Sequence, residues 1–124
     1  MSVFSSKHVC YDECMEFTRV KIVTFAPLEN ADAIRQALGD ARAGQIGEYS
    51  FCSYSTIGKG RFIPSENANP HIGSADVAEV VEEERIEVIC DRAKAKKAIE
   101  AMKQAHPYEE VAFDIYPLVD ESQL

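Results

Sequence analysis

Two apolar stripes of helical period, each entered from a β-rich run, constrain this chain more than any other feature. In the first, Ile34, Ala37, Leu38 and Ala41 recur at the spacing of one helical face. In the second, Ala95, Ala98, Ile99, Met102 and Ala105 do the same, while Lys94, Lys96, Lys97, Glu100 and Lys103 face water. Ahead of the first stripe, Arg19 to Phe25 is rich in β-branched residues and stops at Ala26-Pro27, because proline restricts its predecessor and cannot donate to a ladder. Asn30 stands where it could cap the free amides of a helix over Ala31 to Arg42. Gly44-Gln45-Ile46-Gly47 breaks that helix. The aromatic, β-rich run from Glu48 to Ile57 then predicts a second strand with Gly58-Lys59-Gly60 as its turn. Arg61-Phe62-Ile63 can extend the pairing, and Pro64 to about Ala75 is a long irregular connection. Val77 to Cys90 alternates as a third strand, Asp91 is placed to cap the second helix, and His106-Pro107 ends it. Glu110 to Pro117 gives the last strand.

The order β-α-β-β-α-β predicts an α+β, ferredoxin-like sandwich in which two helices cover one face of a four-stranded antiparallel sheet. The bare face is expected to carry apolar and aromatic residues from several strands. A monomer rarely leaves a large patch of that kind in water, so self-association is expected. The 124 residues suffice for one ordinary core. Residues 1–17 read as a mobile extension, 18–119 as the domain and 120–124 as an acidic tail. With 13 Lys and Arg against 21 Asp and Glu, the formal charge of -8 disfavours nucleic acid and anionic membrane as partners. No apolar run approaches the ~20 residues of a membrane span, and the first residues lack the apolar core of a secretory signal. A cytoplasmic location is therefore expected, with Cys10, Cys14, Cys52 and Cys90 as reduced thiols. Cys10 and Cys14 lie near His8, but no second pair completes a four-ligand metal set. Cys52 and Cys90 fall in predicted strands, as small hydrophobes.

His106, Glu109 and Glu110 bring an imidazole and two carboxylates to one helix-to-strand corner, a set that could ligate a divalent metal ion. The structural reading is that proline stops the helix, Tyr108 plugs core or interface, and the polar groups satisfy backbone amides. Gly44, Gly47, Gly58 and Gly60 could admit an anionic ligand to the backbone, or simply shape turns; no Walker lysine follows them and no G-x-G-x-x-G opens a helix. His71 in the long loop could assist as a ligand or stay solvated. Glu79, Glu82, Glu83, Glu84 and Glu87 read as a solvated edge divided between two faces. No serine, cysteine or threonine has a recognisable base partner, so the sequence offers no nucleophilic mechanism.

Six segments occur together and in order: Gly44-Gln45-Ile46-Gly47-Glu48-Tyr49, Cys52-Ser53, Gly58 to Pro64, Asn69-Pro70-His71-Ile72-Gly73, Glu84 to Glu87, and His106-Pro107-Tyr108-Glu109-Glu110. In combination they resemble the YqfO domain, a module inserted in some bacterial members of the dinuclear-metal NGG-one-interacting-factor-three family and also found free-standing. The resemblance spans roughly Val20 to Leu118. It implies a PII/CutA-like fold and a homo-oligomer, with a trimer favoured over a dimer, that binds a small ligand or divalent cation between subunits. The His106 to Glu110 segment also looks like a motif of CutA, a trimer implicated in divalent-cation tolerance. Likeness to PII implies a binding surface on the Pro64 to Ala75 loop. Two other functions stay open: a metal-dependent hydrolase like the larger family, whose metal ligands lie in a separate domain, and a protein-partner-binding module acting through the loop.

Overall fold

The computed structural model describes residues 16–124; His8, Cys10 and Cys14, with most of the expected extension, lie outside the described residues. Six elements follow one another: β1 (Arg19–Pro27), α1 (Ala31–Asp40), β2 (Tyr54–Phe62), β3 (Glu79–Asp91), α2 (Arg92–Ala105) and β4 (Phe113–Pro117). The strands form one sheet in the order β2-β3-β1-β4, every neighbouring pair antiparallel. This is the ferredoxin-like arrangement. Register places Val20, Ile22 and Ala26 of β1 and Ile86, Val88 and Cys90 of β3 in one core with Ile34 and Leu38 of α1 and Ala98 and Met102 of α2. Thr24 is fully buried in the same layer, and its hydroxyl donates to the Ala112 carbonyl at 3.0 Å. Phe17, grouped by sequence with the extension, packs against this core and lies under the Arg92 guanidinium.

Several boundaries differ from the sequence reading, each for a local reason. Helix α1 ends at Asp40, two residues early, because Arg42 takes the left-handed conformation (φ 73°). The Arg42 and Ala43 amides then return to the carbonyls of Gly39 and Leu38, a Schellman closure made without glycine. Asn30 does not cap: it is already helical at the end of a 3-10 turn, and its buried Oδ1 finds no partner among the described residues. Asp91 likewise makes no cap bond and pairs with Lys94 instead.

The largest shift is in β2, which runs over 54–62, so Gly58 and Gly60 lie inside a strand and form no turn. Residues 44–52 are instead a folded connection: Ile46 and Tyr49 exchange backbone hydrogen bonds, Gly44 donates to Ile89, and Cys52 donates back to Gly44. Gly44, at φ +79°, has the Cys52 carbonyl where a side chain would stand. Cys52 consequently lies in this connection and not in a strand, whereas Cys90 is buried in β3 as expected.

The sheet face away from the helices is mixed where an apolar face was expected. Alternation along β3 assigns Glu83, Arg85 and Glu87 to it, and Glu87 binds both Lys21 (3.2 Å) and Arg85 (3.0 Å) across Val23, which is fully buried. Those two cations, Arg85 foremost, hold the Glu87 carboxyl below its usual range. Tyr54 and Tyr116 remain exposed at the flanks. Glu84 points the other way, where Arg35 of α1 bridges it to Asp32 and Ser55. No helix of the described residues is long and apolar enough to cross a membrane.

Candidate functional site

The site grows from the end of α2. Pro107 cannot continue the helix, and His106 turns extended (φ -85°, ψ 138°) with its ring driven inward to 7% exposure. Its Nε2 lies 2.6 Å from the Phe25 carbonyl oxygen, which only accepts, so Nε2 carries the proton and donates. Its Nδ1 accepts the Tyr108 amide at 3.2 Å. Both ring nitrogens of the neutral imidazole are thereby engaged in fixing the corner. The Tyr108 ring rests on this imidazole, centroids 4.8 Å apart, and its hydroxyl donates to Glu83 at 3.0 Å. Burial, reinforced by the Glu83 carboxylate, pushes that phenol well above its ordinary range.

Glu109 reaches the other way. Its Oε1 accepts the Asn69 amide at 2.7 Å and so fastens the long loop to the corner. The loop is closed at its base by the Asp76 amide on the Pro64 carbonyl (2.7 Å) and folded internally by Ala68 on Ser65 (3.1 Å). Gly73, at φ +94°, makes the return turn in a space bounded by Glu79, Phe62 and Pro64. Loop, corner and the end of β2 line an open cavity of about 510 Å³ within one chain. Its lining includes Gly60, Phe62, Ile63, Pro64, His71, Ile72, Glu83, Tyr108, Glu109 and Glu110.

The sequence-predicted residues divide accordingly. Tyr108, Glu109, Glu110, Gly60 and His71 come together on this cavity; His106 stands behind Tyr108 as its support. Gly58 faces a neighbouring cavity of about 370 Å³ on the open sheet face, which shares Gly60 and Glu83 with the first. Gly44 and Gly47 lie apart in the folded connection, where the Gly44 amide already serves Ile89. Among the described residues, no three His, Cys, Asp or Glu side chains converge in a geometry that could hold a metal ion. Sequence reasoning missed Glu83 and Asn69. The available signal was Gly60: a glycine inside a strand marks close approach, and the Glu83 carboxylate occupies the space of its missing side chain.

No family model matches the chain. It is 46% identical over 103 residues to the GTP cyclohydrolase 1 type 2 homolog of Halalkalibacterium halodurans, covering 83% of this chain but 28% of that protein. The corresponding homolog of Bacillus subtilis is also 46% identical, over 98 residues, covering 79% of this chain and 26% of that protein. The chain thus spans about a quarter of the length of the curated relatives it matches. Among solved structures, a Bacillus cereus protein related to NIF3 superposes with a TM-score of 0.74 at 46% identity, covering 84% of this chain and 26% of that one. The periplasmic divalent cation tolerance protein CutA of Archaeoglobus fulgidus superposes with a TM-score of 0.61 at 19% identity, covering 82% and 85%, a likeness of fold alone. Over some four-fifths of its length the chain is a homologue of one segment of the longer proteins, and it has the PII/CutA-like fold.

Proposed function

We propose that this chain, the homologue of one segment of longer NIF3-related proteins, is a self-associating binding module that takes a small ligand between its long loop and the His106 to Ala112 corner. One observation carries the reading: a single chain holds both walls of that cavity in place, through Glu109 on Asn69 and Tyr108 on Glu83. Small-molecule sites are characteristically preformed, mostly apolar clefts with a few placed polar groups, and this cavity has that composition. A screen of mixed fragments against the ¹⁵N-labelled chain tests it. Amide shifts should cluster in residues 60–72 and 108–112; hits confined to other surfaces would remove the reading.

Self-association is favoured by a separate observation. Among the described residues the sheet ends in two unpaired edges, β2 with nine residues and β4 with five, and exposed Tyr54, Ile57, Ile115 and Tyr116 lie along them. Open strand edges template further pairing, and joining β2 of one copy to β4 of the next would make a ring where the rotation between copies closes, a trimer being the size the CutA resemblance implies. Light scattering during size exclusion checks this: a clean 13.8 kDa monomer at micromolar concentration refutes it.

A further inference from the structure

We infer that the loop-corner cavity selects a small organic cation with a flat apolar body, such as an aryl amidinium or an amino-substituted heterocycle. The inference rests on the binding reading above and adds the sign of charge. It comes from counting which hydrogen-bonding groups around the cavity are already spent.

Several donors of the lining are committed. The Tyr108 hydroxyl goes to Glu83 and the Tyr108 amide to His106. The Asn69 amide goes to Glu109 and the Ala68 amide to Ser65. Pro64 and Pro70 have no amide hydrogen to give. The acceptors are in surplus. A carboxylate offers two oxygens with about four lone-pair sites. Glu83 spends Oε2 on Tyr108, Glu109 spends Oε1 on Asn69, and Glu110 stands exposed at the rim. Three carboxylates therefore face one guanidinium, Arg61, in the lining. An anion could use the Arg61, Ser65 and His71 side chains but would meet a surplus of like charge, whereas a planar cation finds unspent oxygen lone pairs beside the Tyr108 ring.

Benzamidine, benzamide and benzoate have nearly the same shape and carry positive, zero and negative charge. Titrated separately into the full ¹⁵N-labelled chain, benzamidine should move the amides of residues 60–72 and 108–112. It should bind more tightly than benzamide by up to about fivefold, the ratio one partly exposed ion pair supplies. Benzoate should leave those amides unmoved. The preference should shrink in Glu110→Gln, which alters an exposed side chain, and in Glu83→Gln, which keeps an acceptor for Tyr108. Benzoate binding as well as benzamidine, or a preference unchanged in both variants, overturns the inference and leaves the cavity reading standing. If none of the three probes moves those amides but mixed fragments do, the inference also falls. If nothing moves them, the cavity reading falls with it.

Discussion

Replacing His106 by alanine should cost the fold about 3 kcal/mol. The ring is almost wholly buried and serves two backbone groups, donating to the Phe25 carbonyl at 2.6 Å and accepting from the Tyr108 amide at 3.2 Å. Each orphaned backbone group costs about 1 kcal/mol or more when no water replaces the imidazole, and the vacated volume adds roughly another. For a domain of this size that corresponds to a melting temperature lower by roughly 10–15 °C. Urea unfolding followed by circular dichroism measures the loss directly. His106→Gln, which can still offer an amide hydrogen toward Phe25, should recover part of it. Because both ring nitrogens are engaged inside the chain, the loss should be the same with and without EDTA. A cost below about 1 kcal/mol, or one seen only when divalent metal is present, would refute the assignment of His106 as the corner's internal brace.

Gly44→Ala should destabilise by at least about 2 kcal/mol, since it adds a left-handed backbone penalty to a collision with the Cys52 carbonyl; a near-neutral urea midpoint would contradict that geometry. Arg35→Met strands Glu84, whose side chain is 15% exposed, and should cost about 2 kcal/mol, between the values for surface and buried pairs. Adding Glu84→Gln should recover part of that loss, and a double-mutant cycle with no coupling would count against the bridge. Tyr108→Phe should cost about 1 kcal/mol at neutral pH and flatten the alkaline limb of the stability curve. With its phenol pKa raised in the fold, Tyr108 contributes stability that is whole below the unfolded value of about 10 and declines as pH rises beyond it. Urea midpoints between pH 9 and 11 that fall in parallel for both proteins would reject the contribution.

The helices and central strands were legible because their apolar residues obey simple periods: Ile34 with Leu38, Ala98 with Met102, and Ile86, Val88 and Cys90 mark the buried face before any coordinates. β2 was misplaced because aromatic residues at 49–54 suggest a strand as strongly as 54–62 does. What separates them is the reciprocal pairing of Ile46 with Tyr49, a tertiary choice with no periodic signature. The end of α1 was missed because its left-handed closing residue is Arg42 and not a glycine. At the candidate site, the histidine-proline-tyrosine-glutamate run marked the corner that lines the cavity. The roles of its members depend on partners 40 and 81 residues away in sequence, Asn69 for Glu109 and Phe25 for His106, which spacing cannot reveal.

The bond between Glu109 and Asn69 has a kinetic corollary. It is exposed to water at both ends and is worth on the order of 1 kcal/mol, so thermal agitation alone parts it in roughly one molecule in six at any instant. The bond from the Asp76 amide to the Pro64 carbonyl is separate from it and still closes the loop's base, so the sheet beneath need not loosen. A ligand of the proposed kind would therefore exchange at the pace of loop motion, in nanoseconds to microseconds, rather than at the pace of unfolding.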